Sequence, residues 1–189
     1  MYHIDFNKPE NIYFIGIGGI SMSGLAEILL DRGFTVSGSD RAPSAITKHL
    51  ESQGVRIFYG QAAENITDDI HAVIYTAAIH PDNPEFAAAV KKGLPMLDRA
   101  ELLGQIMTHY KNSISVAGTH GKTTTTSMLT HIFLQAGTDP TISVGGILKA
   151  IHGNIRIGRS ENFITEACEY TNSFLKFNAK IDIILNIEE

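Results

Sequence analysis

Cysteine is almost absent from this 189-residue chain, and tryptophan is absent altogether. The single cysteine, Cys168, cannot form an internal disulfide, which favours a reducing compartment. Long hydrophobic runs are also missing: the apolar stretch at 181–187 is interrupted by Asp182 and Asn186 and is too short to span a bilayer. The first residues lack the basic and apolar blocks of a secretory signal. We therefore expect a cytoplasmic protein without membrane insertion.

Positive charge is scarce as well. The chain has 15 Lys and Arg residues against 20 Asp and Glu, a formal net charge of −5, which argues against a non-specific binder of nucleic acid or of anionic membranes. Hydrophobic residues make up 43% of the chain and charged residues 19%, so a chain of this length can bury a core and is not expected to be disordered.

Short β-branched runs alternate with longer amphipathic segments, which predicts βαβ units on a parallel sheet. The first cycle places strands at 11–16, 34–37, 56–59 and 72–75, and helices at 21–32, 44–53 and 84–92. The second cycle places helices at 99–110 and 122–135, and strands at 113–117, 141–144, 163–165 and 181–186. The predicted fold class is α/β. A Rossmann-like N-terminal domain (1–108) precedes the N-terminal part of a P-loop-type ATPase domain (109–189).

A first glycine loop lies between the first predicted strand and helix. It has glycine at Gly16 and Gly18 of the dinucleotide pattern, but Ser21 occupies the third glycine position. Small residues let the backbone approach a diphosphate, and the following helix N-terminus favours an anion. Asp40 ends the second strand, where a carboxylate can accept hydrogen bonds from a ribose. A diphosphate-bearing ligand is favoured over NAD, and a glycine turn that serves only packing is the alternative.

A second glycine loop, A-G-T-H-G-K-T-T-T at 117–125, also joins a strand to a helix. Val116 stands where the phosphate-loop consensus has its first glycine, but the Gly-Lys-Thr core is intact. Loop N–H groups would wrap phosphates, Lys122 would reach the β- and γ-phosphate oxygens, and the Thr123 hydroxyl would ligate Mg²⁺. Glu166, at the end of another predicted strand and close to Glu169, is the best candidate for a carboxylate ligand. These features predict a site for ATP and Mg²⁺.

These loops, taken with other segments, resemble the Mur ligases of peptidoglycan synthesis. The further matching segments are S-G-S-D (37–40), A-A-I-H-P-D-N-P-E (77–85), D-R-A-E-L-L (98–103), E-A-C-E-Y (166–170) and N-I-E (186–188). The resemblance covers the whole chain at unbroken spacing. In the family the N-I-E strand end leads into an Asp-His-Leu/Met-Asp motif, and this chain ends at Glu189, so we expect an N-terminal fragment.

The resemblance implies roles for individual residues. The sugar nucleotide would be bound by Gly18, Gly19, Ile20, Ser21, Met22, Asp40, Ala78, Ile79, His80 and Asn83. The ATP triphosphate would be bound by Gly118, Thr119, His120, Gly121, Lys122, Thr123 and Thr124. Lys122, Glu166 and His120 would be catalytic, with His120 facing the substrate carboxylate, and Thr123 and Glu166 would hold magnesium. Cys168 replaces the aspartate common in relatives and is expected to be a small buried hydrophobe.

The implied activity is that of an ATP-dependent ligase that joins an acid to an amino acid. UDP-N-acetylmuramate and L-alanine would be its substrates, and the reaction would pass through an acyl phosphate. This fragment is expected to bind ligands without turnover, as a monomer or weak homodimer. The alternatives are a recycling ligase that adds a peptide to the same sugar nucleotide, a nicotinamide-dependent dehydrogenase that uses the first loop and Asp40, and a non-catalytic sugar-nucleotide sensor.

Overall fold

The computed structural model describes residues 2–167 and 176–187. The chain divides into two compact units, Met1–Leu102 and Leu103–Glu189. The division falls within helix α4 (Arg99–Met107). Each unit contains one five-stranded sheet.

The first unit is a parallel sheet with strand order β3-β2-β1-β4-β5. Its strands are β1 (Asn11–Ile15), β2 (Thr35–Asp40), β3 (Arg56–Tyr59), β4 (Ala72–Tyr75) and β5 (Met96–Asp98). Its connecting helices are α1 (Ile20–Asp31), α2 (Ala45–Ser52) and α3 (Pro84–Lys91). The chain passes from β1 outward to β3 and then returns to place β4 on the other side of β1. The topological switch point, where ligands bind in such sheets, therefore lies between β1 and β4.

β1 forms the centre of this sheet because its sequence is continuously apolar. Its last four residues, Ile12 to Ile15, are all 0% exposed. Central parallel strands are covered on both faces, so their apolar residues do not alternate with solvent-exposed polar ones. This buried strand fixes the position of the glycine loop that begins directly after Ile15.

The second unit is a sheet with strand order β10-β6-β9-β7-β8. Its strands are β6 (Asn112–Ala117), β7 (Thr141–Leu148), β8 (Gly153–Arg156), β9 (Asn162–Glu166) and β10 (Ile181–Ile184), and its long helix is α5 (Lys122–Gln135). All neighbours pair in parallel except β7 and β8, which form an antiparallel hairpin. The predicted α/β fold class is confirmed.

Several sequence predictions of individual elements hold, and others need correction. The strands at Arg56–Tyr59 and Ala72–Tyr75 and the helix Lys122–Gln135 have their predicted bounds. Strands β5 and β8 were not predicted, and α4 ends at Met107 rather than at Tyr110. Within residues 2–167 and 176–187, no helix combines the length and the apolar character needed to cross a membrane.

Candidate functional site

The first glycine loop is held against the end of β2 by main-chain hydrogen bonds. The N–H groups of Gly16 and Ile17 both donate to the carbonyl oxygen of Ser39, at 2.9 Å each. Gly19 is the N-cap residue of α1, where no side chain caps the helix and no acidic residue lies in the first turn. The positive end of the α1 dipole therefore meets no side-chain anion of its own first turn, which suits a bound phosphate group.

Asp40 contacts this loop directly. Its Oδ2 accepts a hydrogen bond from the N–H of Gly18 at 2.8 Å, and its Oδ1 accepts from the N–H of Arg41 at 2.7 Å. A Cβ atom at Gly18 would lie 2.6 Å from that Oδ2. A side chain at position 18 would therefore displace the Asp40 carboxylate or the Thr47 methyl group. The carboxylate that the sequence assigned to a ribose supports the loop backbone in this structure.

The other predicted sugar-nucleotide residues lie in the turn after β4, the strand next to β1. Ala78 and His80 are exposed, and Ile79 is half-buried. The Oδ1 of Asn83 caps α3 by accepting from the N–H groups of Glu85 and Phe86, and its Nδ2 donates to Gln61 at 2.6 Å. Both polar ends of Asn83 thus have protein partners. The loops that follow β1, β2 and β4 all lie at one edge of the sheet, around the switch point.

The remaining predicted residues of this site lie at the start of α1. Ser21 is exposed, and Ile20 is 43% exposed. The side chain of Met22 is only 1% exposed and packs in the core. Met22 therefore has only its backbone available for a ligand.

The second glycine loop follows β6, the strand between β9 and β10. Gly118 and Gly121 have positive φ angles of 143° and 83°, a conformation that other residues rarely adopt. Gly121 is also the N-cap residue of α5, and no side chain caps that helix. The Nζ of Lys122 donates to the carbonyl oxygens of Gly118 and Thr119. The lysine ammonium therefore lies over the backbone of its own loop.

Asn186, which follows β10, fastens this loop from the neighbouring strand. Its Oδ1 accepts from the N–H of His120 at 3.1 Å, and its Nδ2 donates to the carbonyl oxygen of His120 at 3.0 Å. Asn186 begins the N-I-E segment that contributes to the family resemblance, and no individual role is predicted for it from the sequence. The one feature that could have indicated a role is that Asn186 follows β10, the strand that pairs with β6, and the second loop follows β6. The two bonds hold both the N–H and the carbonyl group of His120, one of the predicted ATP-binding residues.

Glu166 and Thr123, the two predicted magnesium ligands, lie together beside the second loop. The Thr123 hydroxyl donates to Glu166 Oε2 at 3.1 Å, whereas Glu166 Oε1 is buried and has no hydrogen-bond partner. An unpartnered buried carboxylate oxygen beside a hydroxyl is a donor set that fits Mg²⁺, which prefers oxygen ligands and keeps several waters. In the described ranges, no group of three or more His, Cys, Asp or Glu residues could hold a metal ion. Glu169 and Cys168 lie outside the described residues.

Comparison with known families assigns both halves of the chain. Residues 11–111 match the family described as "Mur ligase family, catalytic domain", and residues 116–188 match "Mur ligase middle domain". The chain is 68% identical over its whole length to a UDP-N-acetylmuramate–L-alanine ligase from Agathobacter rectalis and 66% identical to one from Lachnospira eligens. In each case it spans 41% of the relative's length.

Solved structures give the same assignment. A UDP-N-acetylmuramate–alanine ligase from Thermotoga maritima is 34% identical, with a TM-score of 0.84 over 93% of this chain and 41% of that one. A UDP-N-acetylmuramate:L-alanyl-γ-D-glutamyl-meso-diaminopimelate ligase from Neisseria meningitidis is 28% identical, with a TM-score of 0.87 over 96% of this chain and 61% of that one. The resemblance inferred from the two glycine loops is confirmed, and the chain belongs to the Mur ligase family.

Proposed function

We propose that this chain is the sugar-nucleotide-binding domain (1–108) and the beginning of the ATP-binding domain (109–189) of a cytoplasmic UDP-N-acetylmuramate–L-alanine ligase. The complete enzyme would join the lactyl carboxylate of UDP-N-acetylmuramate to the amine of L-alanine and convert ATP to ADP and phosphate. The observation that carries this proposal is the 68% identity along 100% of the chain to a ligase of that name.

The first unit would bind UDP-N-acetylmuramate at the edge of its sheet. Gly18 and Gly19 would line the diphosphate with backbone atoms. The N–H groups of Ile20, Ser21 and Met22 belong to the first turn of α1, where the helix dipole attracts an anion. The turn after β4 would line the same ligand from the neighbouring strand. The support for this arrangement is the common edge that these loops share around the switch point.

The second unit would bind the triphosphate of ATP. The backbone of residues 118–121 would surround the β- and γ-phosphates, and Lys122 would leave its loop carbonyls to contact the γ-phosphate. Thr123 and Glu166 would hold magnesium, which when bound would offset the charge of the phosphate oxygens. The unpartnered Oε1 of Glu166 supports this assignment.

The proposed chemistry explains why a lysine is needed at the second loop. A carboxylate is a poor acceptor for an amine until it is phosphorylated, and phosphorylation requires two anions to approach each other. Two unit charges about 4 Å apart repel by about 4 kcal/mol at an effective dielectric constant of about 20. Lys122 and the loop N–H groups supply the opposing charge, and His120 would face the substrate carboxylate.

A ligase that adds a peptide to the same sugar nucleotide is the second candidate. It is favoured by the TM-score of 0.87 to the Neisseria enzyme, slightly above the 0.84 to the Thermotoga enzyme. The higher sequence identities, 64–68% for three of the alanine ligases, favour the first candidate. The complete enzyme, assayed for phosphate release with L-alanine or with the peptide as acceptor, would distinguish them.

The binding roles of the two loops can be tested with two matched variants. Ser21 and Thr124 are both exposed and lie in the first turns of α1 and α5, so an aspartate at either position adds the same charge without disturbing packing. Calorimetric titration should show that Ser21→Asp weakens UDP-N-acetylmuramate binding by about tenfold or more, since one added charge near a diphosphate costs on the order of 1–2 kcal/mol. Thr124→Asp should weaken Mg-ATP binding instead.

The two variants serve as controls for each other. Ser21→Asp should leave Mg-ATP affinity unchanged, and Thr124→Asp should leave sugar-nucleotide affinity unchanged. Equal affinity of the Ser21→Asp variant and the unmodified chain for UDP-N-acetylmuramate would contradict the proposed site.

A further inference from the structure

A fully buried carboxylate lies beneath the proposed sugar-nucleotide site. Glu85, in the first turn of α3, is 0% exposed. Its Oε1 accepts hydrogen bonds from the Tyr13 hydroxyl at 2.9 Å and from Asn65 Nδ2 at 2.6 Å, and its Oε2 accepts from the Ser39 hydroxyl at 2.5 Å. The three donors come from β1, β2 and the 3₁₀ turn Ala63–Asn65 that follows β3, so one side chain joins three separate parts of the unit.

Such a group is costly to bury unless every partner is in place. An ionised carboxylate only accepts hydrogen bonds, and the three side chains around Glu85 can all donate. The N-terminus of α3 adds its positive dipole on the same side, and burial holds the pKa of the Tyr13 hydroxyl far above its ordinary value. The network is thus satisfied only when the strands and α3 have this arrangement.

The Ser39 branch leads to the glycine loop. Ser39 is bound to Glu85 through its hydroxyl, and its carbonyl oxygen accepts from the N–H groups of Gly16 and Ile17. The next residue, Asp40, accepts from the N–H of Gly18. The position of the Ser39 peptide therefore sets the position of the loop that would surround the diphosphate.

The Asn65 branch leads to a second loop at the same edge. Besides Glu85, Asn65 Nδ2 donates to the carbonyl oxygen of Gly60 at 3.0 Å. The N–H of Gly60 donates in turn to the carbonyl oxygen of Asp40 at 2.9 Å. Glu85 also follows the α3 cap residue Asn83 by two positions and donates its own N–H to that cap. All three loops around the switch point are therefore connected to one carboxylate.

We propose that Glu85 is a positioning residue of the sugar-nucleotide site: it holds the loops after β1, β2 and β4 in their ligand-binding arrangement without contacting the ligand. This inference rests on the proposed function, because it takes UDP-N-acetylmuramate as the ligand of that edge. Loss of a buried residue that only stabilises the core changes the stability of the unit and not its affinity for the ligand. Loss of the carboxylate changes affinity for the ligand as well as stability.

The Glu85→Gln variant tests the proposal with little change in volume. With the glutamine oxygen facing Tyr13 and Asn65, its N–H group faces Ser39, whose hydroxyl can accept it but loses Glu85 as the acceptor of its own proton. In the opposite orientation the N–H group faces the Asn65 amide donor, so either orientation costs the network a hydrogen bond. Calorimetric titration of the 189-residue chain, at a temperature where circular dichroism shows each variant folded, should give a UDP-N-acetylmuramate dissociation constant raised by about tenfold. That change corresponds to about 1.4 kcal/mol.

A control in the same helix separates positioning from stability. Ala89 is 0% exposed on α3 and takes no part in the network, so Ala89→Gly destabilises the same helix without removing a hydrogen bond from Glu85. This variant should lower the melting temperature and keep the affinity of the unmodified chain. Tyr13→Phe, which removes one donor from Oε1, should raise the dissociation constant about threefold and also serves if Glu85→Gln fails to fold.

The binding results distinguish failure of the proposed function from failure of the positioning role of Glu85. If the unmodified chain does not bind UDP-N-acetylmuramate, the proposed function fails, and this inference fails with it. If the unmodified chain binds and both Glu85→Gln and Tyr13→Phe bind equally well, only the positioning role is overturned. An affinity loss of similar size in Ala89→Gly would also overturn it, because the effect would then follow stability alone.

Discussion

The close approach of Gly18 and Asp40 predicts a large cost for adding a single methyl group. In Gly18→Ala the new Cβ would lie 2.6 Å from Asp40 Oδ2 and 2.9 Å from the Cγ2 methyl of Thr47. Gly18 is not among the residues with a positive φ, so alanine suits the backbone and the cost comes from space alone. Thr47 cannot easily turn away, because its hydroxyl takes part in the capping box of α2.

The magnitude follows from two losses. Overpacking of a tight site costs about 1–3 kcal/mol, and displacing the carboxylate from the N–H of Gly18 costs about 1.5–3 kcal/mol. Alanine also lowers the conformational entropy of the unfolded chain, which stabilises the folded state by about 0.4–1 kcal/mol. We therefore expect Gly18→Ala to destabilise the first unit by about 2–4 kcal/mol.

A double-mutant cycle with Asp40→Ala identifies the source of this cost. Asp40→Ala alone should destabilise the unit by about 2 kcal/mol through its lost hydrogen bonds. In that background the added methyl no longer meets a carboxylate, so the double variant should be more stable than the sum of the single effects by about 1–2 kcal/mol. Amide hydrogen exchange of β1 and β2 measures the opening free energy of this unit specifically.

Two results would contradict a steric clash between the new methyl group and Asp40. One is a Gly18→Ala variant within about 0.5 kcal/mol of the unmodified chain, the range of a surface substitution. The other is strict additivity in the cycle, which would show that Asp40 is not what the methyl group meets.

Three further substitutions have defined outcomes. Magnesium should raise the affinity for ATP less in Glu166→Gln than in the unmodified chain, by a factor of about ten or more, as measured by titration with and without the metal. An equal effect of magnesium in both proteins would exclude Glu166 as a ligand. Thr130→Val removes a buried hydroxyl that has no hydrogen-bond partner, and it should raise the free energy of unfolding in urea by about 1 kcal/mol, whereas a loss of stability would indicate a partner. Burial and the nearby Glu85 carboxylate hold the pKa of Tyr13 above its ordinary value of 10, so its contribution to stability is present below pH 10 and is lost at higher pH. Tyr13→Phe should therefore reduce the fall in stability above pH 10, and an unchanged pH profile would contradict this.

The sequence predicted most of the fold because its strongest signals are local. The continuous apolar run of β1, Pro84 at the start of α3 and the Gly-Lys-Thr core at the start of α5 each indicate an element without help from distant residues. β5 was missed because three residues carry no periodicity. The extension of β7 was missed because Gly145 and Gly146 favour a loop, whereas pairing with β8 keeps the strand extended beyond Val144.

The supporting residues of the site could not be predicted for a different reason. Both glycine loops follow from short motifs, so Lys122 and Gly18 are visible in the sequence. Glu85 reads as an ordinary acidic residue in the first turn of a helix, since its partners Tyr13 and Ser39 are 72 and 46 positions away in the chain. Asn186 is 66 positions from the loop that it fastens. Only the folded chain shows that these residues support the loops.

We propose that the two loops bind different ligands, a sugar nucleotide at Gly18 and a triphosphate at Lys122. Calorimetric titration of Lys122→Ala with each ligand tests it most directly, because this substitution removes a charge from one loop only. We expect UDP-N-acetylmuramate to bind with unchanged affinity and Mg-ATP to bind about tenfold or more weakly, since a charge-assisted hydrogen bond to phosphate is lost. A comparable loss for UDP-N-acetylmuramate, or full retention of Mg-ATP binding, would contradict the account.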